Sequence, residues 1–167
     1  SAYSYLAAKD AIKMSGLEEE YLNSPRVGIV AGSGGSSTRV MLSTSDITRE
    51  KGPKRIGTYA VTKSMASSIS AILGTAFKLK GINYSISSAC ATSAHCIGHG
   101  ADLIRSGQQD IIIAGGGEDE HWSSSNLFDA MGALSSKFND TPTIASRPYD
   151  KNRDGFVIAG GSGILIL

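Results

Sequence analysis

The sequence offers one side chain that is well placed for covalent chemistry, a cysteine where a strand-like run gives way to a helical pattern. The segment Ser87-Ser88-Ala89-Cys90-Ala91 crosses this junction. A thiol there lies at a helix N-terminus, where unpaired backbone N–H groups and the helix dipole favour the nucleophilic thiolate. Small flanking residues leave room for a substrate carbonyl, and the Cys90 backbone N–H is expected to point to where an oxyanion forms. On residue type alone, the alternative is a buried structural cysteine.

Three other polar features are weaker candidates. His95 and His99 lie four positions apart on the same predicted helix, but no third metal ligand is evident, so packing and hydrogen bonding are favoured over a metal site. The run Gly32-Ser33-Gly34-Gly35 follows a predicted strand like a phosphate-binding loop, yet it lacks the last glycine of the dinucleotide fingerprint. His121 and Trp122 follow an acidic run and are assigned to a loop.

The composition is typical of an ordinary globular protein of one domain. The 167 residues are 41% hydrophobic and 19% charged with a formal net charge of +1, which argues against a disordered tail and against nucleic-acid binding by charge. Cys90 and Cys96 are six positions apart on one predicted helix and point in different directions, so no disulfide is expected. No apolar stretch is long enough to span a bilayer, and the N-terminus lacks a signal-peptide pattern. These features predict a reducing, cytoplasmic setting.

The elements that would position Cys90 alternate between helix and strand. Residues 61–79 carry a strong helical pattern that predicts one helix, and a stripe of small residues over 91–104 predicts a closely packed, buried helix. The other predicted elements are a helix over 2–14 ending at Gly16, strands over 26–31, 83–87, 110–114 and 155–167, and a helix over 123–131. Residues 36–58 are predicted to be mostly loop, with a short helix as the alternative for part of them. This order predicts an α/β protein with a mainly parallel sheet covered on both faces.

Both ends of the chain look interrupted. The chain begins without Met in a helical pattern, and Ile164-Leu165-Ile166-Leu167 stops inside an apolar strand. An apolar strand that is interrupted before its partners are present would leave an exposed edge that is prone to association. We therefore expect a fragment.

Four ordered motifs, spread over more than half of the chain, resemble β-ketoacyl-[acyl-carrier-protein] synthases. The likeness extends to residues 27–35 and 59–65, so it covers nearly the whole chain. After Phe156, the sequence Val-Ile-Ala-Gly-Gly-Ser-Gly is similar to the synthase I branch, whereas many other relatives have a glutamate between glycines. The four motifs are residues 88–95 (SACATSAH), 110–118 (DIIIAGGGE), 128–135 (FDAMGALS) and 147–157 (RPYDKNRDGFV).

The resemblance implies a thiolase-like layered α/β fold, of which this chain is mainly the N-terminal half, in a homodimeric acyltransferase of fatty acid biosynthesis. Its reaction is a decarboxylating Claisen condensation. Cys90 would receive the acyl chain from acyl carrier protein, and malonyl carrier protein would supply the carbanion that attacks the thioester. No metal or redox cofactor is implied, and the partner is the carrier protein rather than nucleic acid or a membrane.

The same resemblance implies substrate-binding residues. Met65, Phe128 and Met131 are the candidates for an acyl pocket, since flexible apolar side chains suit an alkyl chain, although each is equally suited to plain core. Gly34 is implied as lining near that pocket. These assignments come from the family motifs and not from spacing.

A basic cluster, Arg49, Lys51, Lys54 and Arg55, lies in a chain that is otherwise nearly neutral. Acyl carrier protein is acidic, so the cluster would steer docking by an attraction that salt weakens. By resemblance, Lys51 and Lys54 are the better candidates for this contact. A solvated loop without a partner is an equally weighted alternative.

The chain departs from the family pattern in one respect. The two histidines that act on malonyl carrier protein, a nearby lysine and the glycine-rich loop that gives a second oxyanion N–H belong to the family's second half, and none of these motifs is present. We therefore expect residues 1–167 to form a partial N-terminal domain that lacks the family's first strand as well as its C-terminal half. Such a chain would be catalytically inactive alone, and an exposed apolar gap would lower its stability or cause self-association.

Two rival functions remain open. The same motifs serve ketosynthases of polyketide or polyunsaturated-lipid pathways, which would differ in the sequence after Leu167. A non-catalytic partner subunit that shapes chain length keeps the same fold. Cysteine at position 90 argues against the second rival, because such subunits resemble the family with that residue replaced.

Overall fold

The computed structural model describes all 167 residues. Their contacts group them into two units, one formed by residues 1–118 with 161–167 and the other by residues 119–160. The first unit is a sheet flanked by helices and holds the cysteine elbow. None of the helices combines the length and the apolar composition that a bilayer span requires.

The first unit contains six α-helices and four strands. In chain order these are α1 (Ala2–Ser15), α2 (Glu19–Leu22), β1 (Val27–Gly32), α3 (Thr38–Lys51), α4 (Ala60–Ser64), α5 (Ser68–Ala76), β2 (Asn83–Tyr84), α6 (Thr92–Arg105), β3 (Ile111–Glu118) and β4 (Gly161–Ile166), with a short 3₁₀ helix at Pro53–Arg55.

The sheet has the strand order β2-β1-β3-β4. β1 pairs in parallel with both β2 and β3, and Val27 lies opposite Ile111. The parallel prediction is therefore confirmed for the three strands that surround the elbow. β4 pairs with β3 in the antiparallel direction, with Glu118 opposite Gly161 at one end of the ladder.

Alternate side chains of the central strands pack on opposite faces of the sheet, as the period of a strand requires. Ile29 and Ile113 belong to a cluster on one face that α1 and α5 complete. Val30 and Ile112 belong to a second cluster, on the face that α6 covers. The prediction of a sheet covered on both faces is confirmed.

α1 follows its sequence pattern closely. Ala8 and Ile12, one turn apart, are buried against the sheet. The helix ends at Gly16, which adopts the left-handed conformation (φ 71°) that terminates many helices. The predicted helix and its C-cap are confirmed.

The prediction of mostly loop over residues 36–58 is wrong, because α3 occupies fourteen of these residues. The Ser37 hydroxyl accepts a hydrogen bond from the Val40 N–H and caps the helix, and Gly52 ends it. No residue of α3 is buried. The segment is rich in polar and charged residues, and its apolar Val40, Leu42 and Ile47 are only half-buried, so its composition indicated a loop.

The single helix predicted over residues 61–79 is two helices. α4 ends at Ser64, Met65 has an extended backbone (ψ 140°), and α5 begins at Ser68. The apolar spacing continues across the break, so the pattern alone did not reveal it. The strand predicted over residues 83–87 is also shorter, because only Asn83–Tyr84 pair with β1, after which the Ser85 hydroxyl donates to the Ala31 carbonyl at 2.5 Å.

α6 is confirmed as a helix, and its predicted stripe is confirmed only in part. The side that meets the sheet carries Cys96, Gly100 and Leu103, with Ile97 and Ile104 packed beside them, whereas Ala94 and Gly98 are exposed.

Gly100 permits the close approach of α6 to the sheet, since a Cβ there would lie 2.8 Å from the Ile112 Cγ2 and 3.2 Å from the Leu167 Cδ1. The contact is therefore made through Gly100 and larger side chains rather than through Ala94.

The second unit contains α7 (Trp122–Ala130), which confirms the helix predicted over 123–131, and a 3₁₀ helix at Pro142–Ile144. Trp122, predicted in a loop, is the first residue of α7, and His121 is its N-cap. Its last segment differs from the strand predicted from residue 155, because strand pairing of β4 starts only at Gly161. Phe156 forms an isolated bridge with Leu134 instead, and its ring meets the Phe128 ring edge-on at 5.7 Å between centroids.

One carboxylate ties two segments of the second unit together. Asp154 accepts hydrogen bonds from the Ser135 hydroxyl at 2.6 Å, the Lys137 N–H at 2.8 Å and the Ser136 N–H at 2.9 Å. These donors, the Ser135 hydroxyl first, lower the pKa of the Asp154 carboxyl to about 2. The clamp fixes the turn at 135–137 against the segment that carries Asp154.

Candidate active site

The predicted elbow is present and holds an exposed thiol. Cys90 is exposed, and α6 begins two residues later at Thr92. Ala89, directly before the cysteine, has a positive φ of 51°, which non-glycine residues rarely adopt. A non-glycine residue held in this region is a mark of functional turns, where the surrounding structure imposes the strain.

Hydrogen bonds on both sides of Cys90 fix this turn. The Thr92 side-chain oxygen accepts from the Ser88 N–H at 2.8 Å, and the Thr92 N–H donates to the Ala89 carbonyl at 3.1 Å. The Ala91 N–H donates to the Ser88 carbonyl at 3.2 Å. The chain thus turns sharply, with the Ser88 and Ala89 carbonyls held by these bonds, and the exposed cysteine lies at the outside of the turn.

Two glycines at the carboxyl ends of parallel strands let the start of α6 approach the sheet. A Cβ at Gly32 would lie 2.1 Å from the Ile86 carbonyl oxygen and 3.0 Å from the Thr92 Cγ2. A Cβ at Gly116 would lie 2.6 Å from the Ser93 hydroxyl. Any side chain at either position would push the elbow outward, so these glycines set where the thiol lies.

The two cysteines have opposite environments. Cys96 is fully buried against the sheet, and burial raises the pKa of its thiol. Cys90 is exposed, and both thiols are free. A buried, protonated thiol is a poor nucleophile, and of the two cysteines only Cys90 offers a thiol that a reagent can reach.

The glycine-rich loop after β1 lies against the elbow. A Cβ at Gly34 would lie 3.1 Å from the Ala89 carbonyl oxygen, so the two backbones are in close contact. The Ser87 hydroxyl donates to the Ser33 carbonyl at 3.0 Å. On the other side, the Glu118 carboxylate accepts from the Gly34 N–H and from the Ser33 hydroxyl, the latter at 3.0 Å.

Sequence reasoning missed the roles of Glu118 and Ser87 in this arrangement. Glu118 was read only as the end of an apolar, glycine-rich run and the start of an acidic one. The signal available in the sequence was a carboxylate at the end of a buried strand, in a chain where an earlier buried strand ends in a glycine-rich loop. Its partner loop follows the neighbouring parallel strand, so both meet at the same sheet edge.

All three histidines take part in hydrogen bonds. His95 Nδ1 pairs with the Ser88 hydroxyl at 2.6 Å, and His99 Nε2 pairs with the Tyr84 hydroxyl at 2.5 Å. His121 Nδ1 lies 2.7 Å from the Ser123 hydroxyl. No three His, Cys, Asp or Glu side chains of the chain are grouped to hold a metal ion.

The remaining predicted site residues lie in different parts of the fold. Met65 is half-buried at the end of α4. Within the second unit, Phe128 is half-buried against Phe156, whereas Met131 directly follows α7 and is 76% exposed. Their roles in holding an acyl chain stay predictions.

The basic residues lie on α3 and the 3₁₀ helix that follows it, not in the loop that the sequence predicted. Lys51 is the last residue of α3, and Lys54 lies in the 3₁₀ helix. Both side chains are exposed, and neighbouring Arg49 pairs with Asp46 at 3.2 Å. These helices hold the two lysines three positions apart on ordered backbone.

Comparison with known proteins identifies relatives along the whole chain. The model of the Beta-ketoacyl synthase N-terminal domain matches residues 1–167. The 3-oxoacyl-[acyl-carrier-protein] synthase 1 of Escherichia coli (strain K12) is 56% identical over 169 residues, which cover 100% of this chain and 42% of that protein. The chain thus spans less than half the length of the curated relatives it matches.

Two solved structures superpose closely. A β-ketoacyl synthase from Burkholderia phymatum STM815 gives a TM-score of 0.88 at 27% identity, covering 98% of this chain and 40% of that chain. A type II PKS ketosynthase in complex with its acyl-carrier protein, AntDE:AntF, gives 0.87 at 27% identity, covering 99% and 42%. The predicted layered α/β fold, present in part, is confirmed by these superpositions.

Proposed function

The chain belongs to the β-ketoacyl synthase family, and on that premise we propose that it is the nucleophile-bearing part of a 3-oxoacyl-[acyl-carrier-protein] synthase of fatty acid biosynthesis. The observation that carries this proposal is the exposed thiol of Cys90, held at the start of α6 beside a residue with positive φ. The 56% identity to synthase 1 of Escherichia coli supports the synthase I type.

The proposed chemistry starts with acyl transfer to Cys90. The Cys90 thiolate sulfur attacks the thioester carbonyl of acyl carrier protein. The carrier sulfur leaves as a thiolate and takes up a proton, so that a thioester on Cys90 replaces the one on the carrier. The Cys90 N–H donates to the oxyanion of the tetrahedral intermediate. Malonyl carrier protein then loses CO₂, its carbanion attacks the Cys90 thioester, and the thiolate leaves as 3-oxoacyl carrier protein forms.

We assign only the first part of this chemistry to the 167 residues. His95 and His99 are held in pairs with Ser88 and Tyr84, and none of the histidines lies in the family's decarboxylation motifs. A polypeptide of these residues alone is therefore expected to give no 3-oxoacyl product from acyl- and malonyl-carrier protein. Product at the rate of an intact synthase would contradict this assignment.

Carrier protein is the proposed partner, and Lys51 with Lys54 its proposed contact. Both are exposed and adjacent on ordered helices, which suits recognition of an acidic surface. The ketosynthase in AntDE:AntF is described as bound to an acyl-carrier protein. Replacing both lysines by glutamate should weaken carrier-protein binding and remove its salt dependence, while the matched pair Lys9 and Lys13 on α1, replaced in the same way, should leave binding unchanged.

We further propose that the acyl chain is held by Met65, Phe128 and Met131, with Gly34 as lining near the thiol. The position of Gly34 against Ala89 supports its inclusion. A homodimer and a cytoplasmic location complete the proposal, and both rest on the family alone.

A polyketide ketosynthase is the second candidate, because AntDE:AntF is described as a type II PKS structure. Its identity of 27% is half of that to the fatty acid synthase relative, which favours the first candidate. A non-catalytic chain-length subunit is disfavoured, since the nucleophile is present and exposed.

The nucleophile can be tested by intact-mass spectrometry after incubation with cerulenin, an epoxide that alkylates the active cysteine of this family. One adduct is expected, and it should be lost in Cys90→Ala and kept in Cys96→Ala. An adduct that persists in Cys90→Ala would refute the assignment.

A further inference from the structure

The peptide bond between Ala89 and Cys90 joins the strained residue to the nucleophile. Because a peptide unit is planar, the direction of the Ala89 carbonyl fixes the direction of the Cys90 N–H. That N–H is the oxyanion donor of the proposed function, on which this inference rests. Whatever holds the Ala89 carbonyl in place therefore aims the donor.

Two groups hold this carbonyl. The Thr92 N–H donates to it at 3.1 Å, which fixes it from the helix side. Gly34 lies against it from the other side, so closely that a Cβ at Gly34 would be 3.1 Å from the oxygen and 3.3 Å from the carbonyl carbon. Gly34 thus acts as a backbone wall behind the Ala89–Cys90 peptide.

Two side chains hold the loop that contains Gly34 in place. Glu118 accepts hydrogen bonds from the Gly34 N–H and from the Ser33 hydroxyl, and Ser87 donates to the Ser33 carbonyl at 3.0 Å and to the Gly34 carbonyl at 3.4 Å. Glu118 closes β3, a strand buried in the middle of the sheet, so its backbone is a rigid anchor. The loop of small residues has little packing of its own with which to resist movement.

We infer that Glu118 is a positioning residue for acyl transfer, acting through Gly34 to hold the Ala89–Cys90 peptide with its N–H aimed at the oxyanion. Its carboxylate works as a hydrogen-bond acceptor and not as a charge or a base on the thiol. The role is specific to steps that pass through an oxyanion at the thioester. A substitution reaction at the same sulfur, such as alkylation, forms no oxyanion and does not need this alignment.

The test compares two reactions of Cys90 in the full-length protein that carries this sequence. Acyl transfer from acyl carrier protein is measured by stopped-flow or quenched mass spectrometry, and alkylation by iodoacetamide is measured on the same samples. Glu118→Leu should lower the acyl-transfer rate roughly tenfold or more, as a partial loss of one oxyanion donor. The fall should be in kcat with KM for acyl carrier protein unchanged, and alkylation should change by less than about threefold because the thiol stays exposed.

Two further variants keep the inference open to refutation if Glu118→Leu folds poorly. Glu118→Gln retains an oxygen acceptor for the Gly34 N–H and should restore acyl transfer to within about threefold of the wild type. Gly34→Ala should slow acyl transfer without slowing alkylation, because its Cβ would lie 2.9 Å from the Glu118 Oε1 and 3.1 Å from the Ala89 carbonyl oxygen and would disturb both the anchor and the peptide it holds.

The outcomes separate this inference from the function beneath it. If wild-type Cys90 is alkylated but never acylated, the proposed function fails and the inference fails with it. If the wild type is acylated and Glu118→Leu is equally fast, only the inference is overturned. A Glu118→Gln variant as slow as Glu118→Leu would also overturn it, since the charge rather than the acceptor would then matter.

Discussion

Two glycines two positions apart on α6 should respond in opposite ways to the same substitution. Gly98 is exposed, and a Cβ there would meet nothing within 4 Å, whereas a Cβ at Gly100 would lie 2.8 Å from the Ile112 Cγ2. Ile112 is fully buried in β3, and its Cγ2 sits on a branched carbon that cannot swing away without a rotamer change. The Leu167 Cδ1, at 3.2 Å, restricts the other side.

The difference in the free energy of unfolding between the two variants can be estimated because both glycines lie in the same helix. Alanine in place of glycine inside a helix stabilises it by about 0.5–1 kcal/mol, so Gly98→Ala should raise the free energy of unfolding by that amount. Gly100→Ala gains the same backbone term but overpacks the helix–sheet contact, at a cost of about 1–3 kcal/mol. The backbone term cancels in the difference, so Gly98→Ala should exceed Gly100→Ala in stability by about 1–3 kcal/mol.

Urea unfolding followed by far-UV circular dichroism measures both variants against the wild type. Equal stabilisation by the two substitutions would refute the packing described for α6 and β3. Destabilisation by Gly98→Ala would instead show that the outer face of α6 is covered in solution.

Three further outcomes are expected. Asp154→Asn should be less stable than the wild type at neutral pH, and the difference in the free energy of unfolding should shrink as the pH falls from about 4 towards 2. The reason is that a carboxyl group with a lowered pKa stabilises the fold only while it is ionised. In urea unfolding, a difference that is unchanged at pH 2 would contradict the clamp. Gln109→Leu should lower the free energy of unfolding by about 1–3 kcal/mol, because the Gln109 amide, 5% exposed, accepts from the Ile82 N–H and donates to the Pro25 carbonyl. The control Gln108→Leu, at an exposed position, should not lower it, and an equal loss in the two variants would contradict the role of the Gln109 amide. Iodoacetamide should label Cys90 in the native state and Cys96 only after unfolding, as peptide mapping would show; equal native labelling would disprove the burial of Cys96.

The parts of the fold that the sequence predicted well are those whose pattern records burial. β1 and β3 are short apolar runs because they are covered on both faces, and α1 shows its buried stripe through Ala8 and Ile12. α3 carries no such record, since none of its residues is buried and its stability comes from a cap and local hydrogen bonds. A segment of this kind has the composition of a loop although its backbone is helical.

A cysteine at a strand-to-helix elbow was predicted from the sequence, but the groups that support the elbow were not. Gly34 was implied only as lining near an acyl pocket, and its contact with Ala89 appears only in the structure. The positive φ of Ala89 could not be predicted, because alanine disfavours this conformation and the neighbouring residues carry no signal for it. The exposed side of α6 was misassigned for a related reason: small residues permit close packing but do not require it, and the helix uses Gly100 rather than Ala94 for that purpose.

The register between β3 and β4 determines where the segment between these two strands leaves and re-enters the sheet. Glu118 and Gly161 lie opposite each other in the ladder, so the chain leaves the sheet at residue 118 and re-enters it on the adjacent strand at residue 161. Residues 119–160 are therefore a segment whose two ends meet at adjacent strand ends, and its length contributes little to the entropy of closing that gap. A change in the length of this segment is thus compatible with an unchanged β3–β4 ladder.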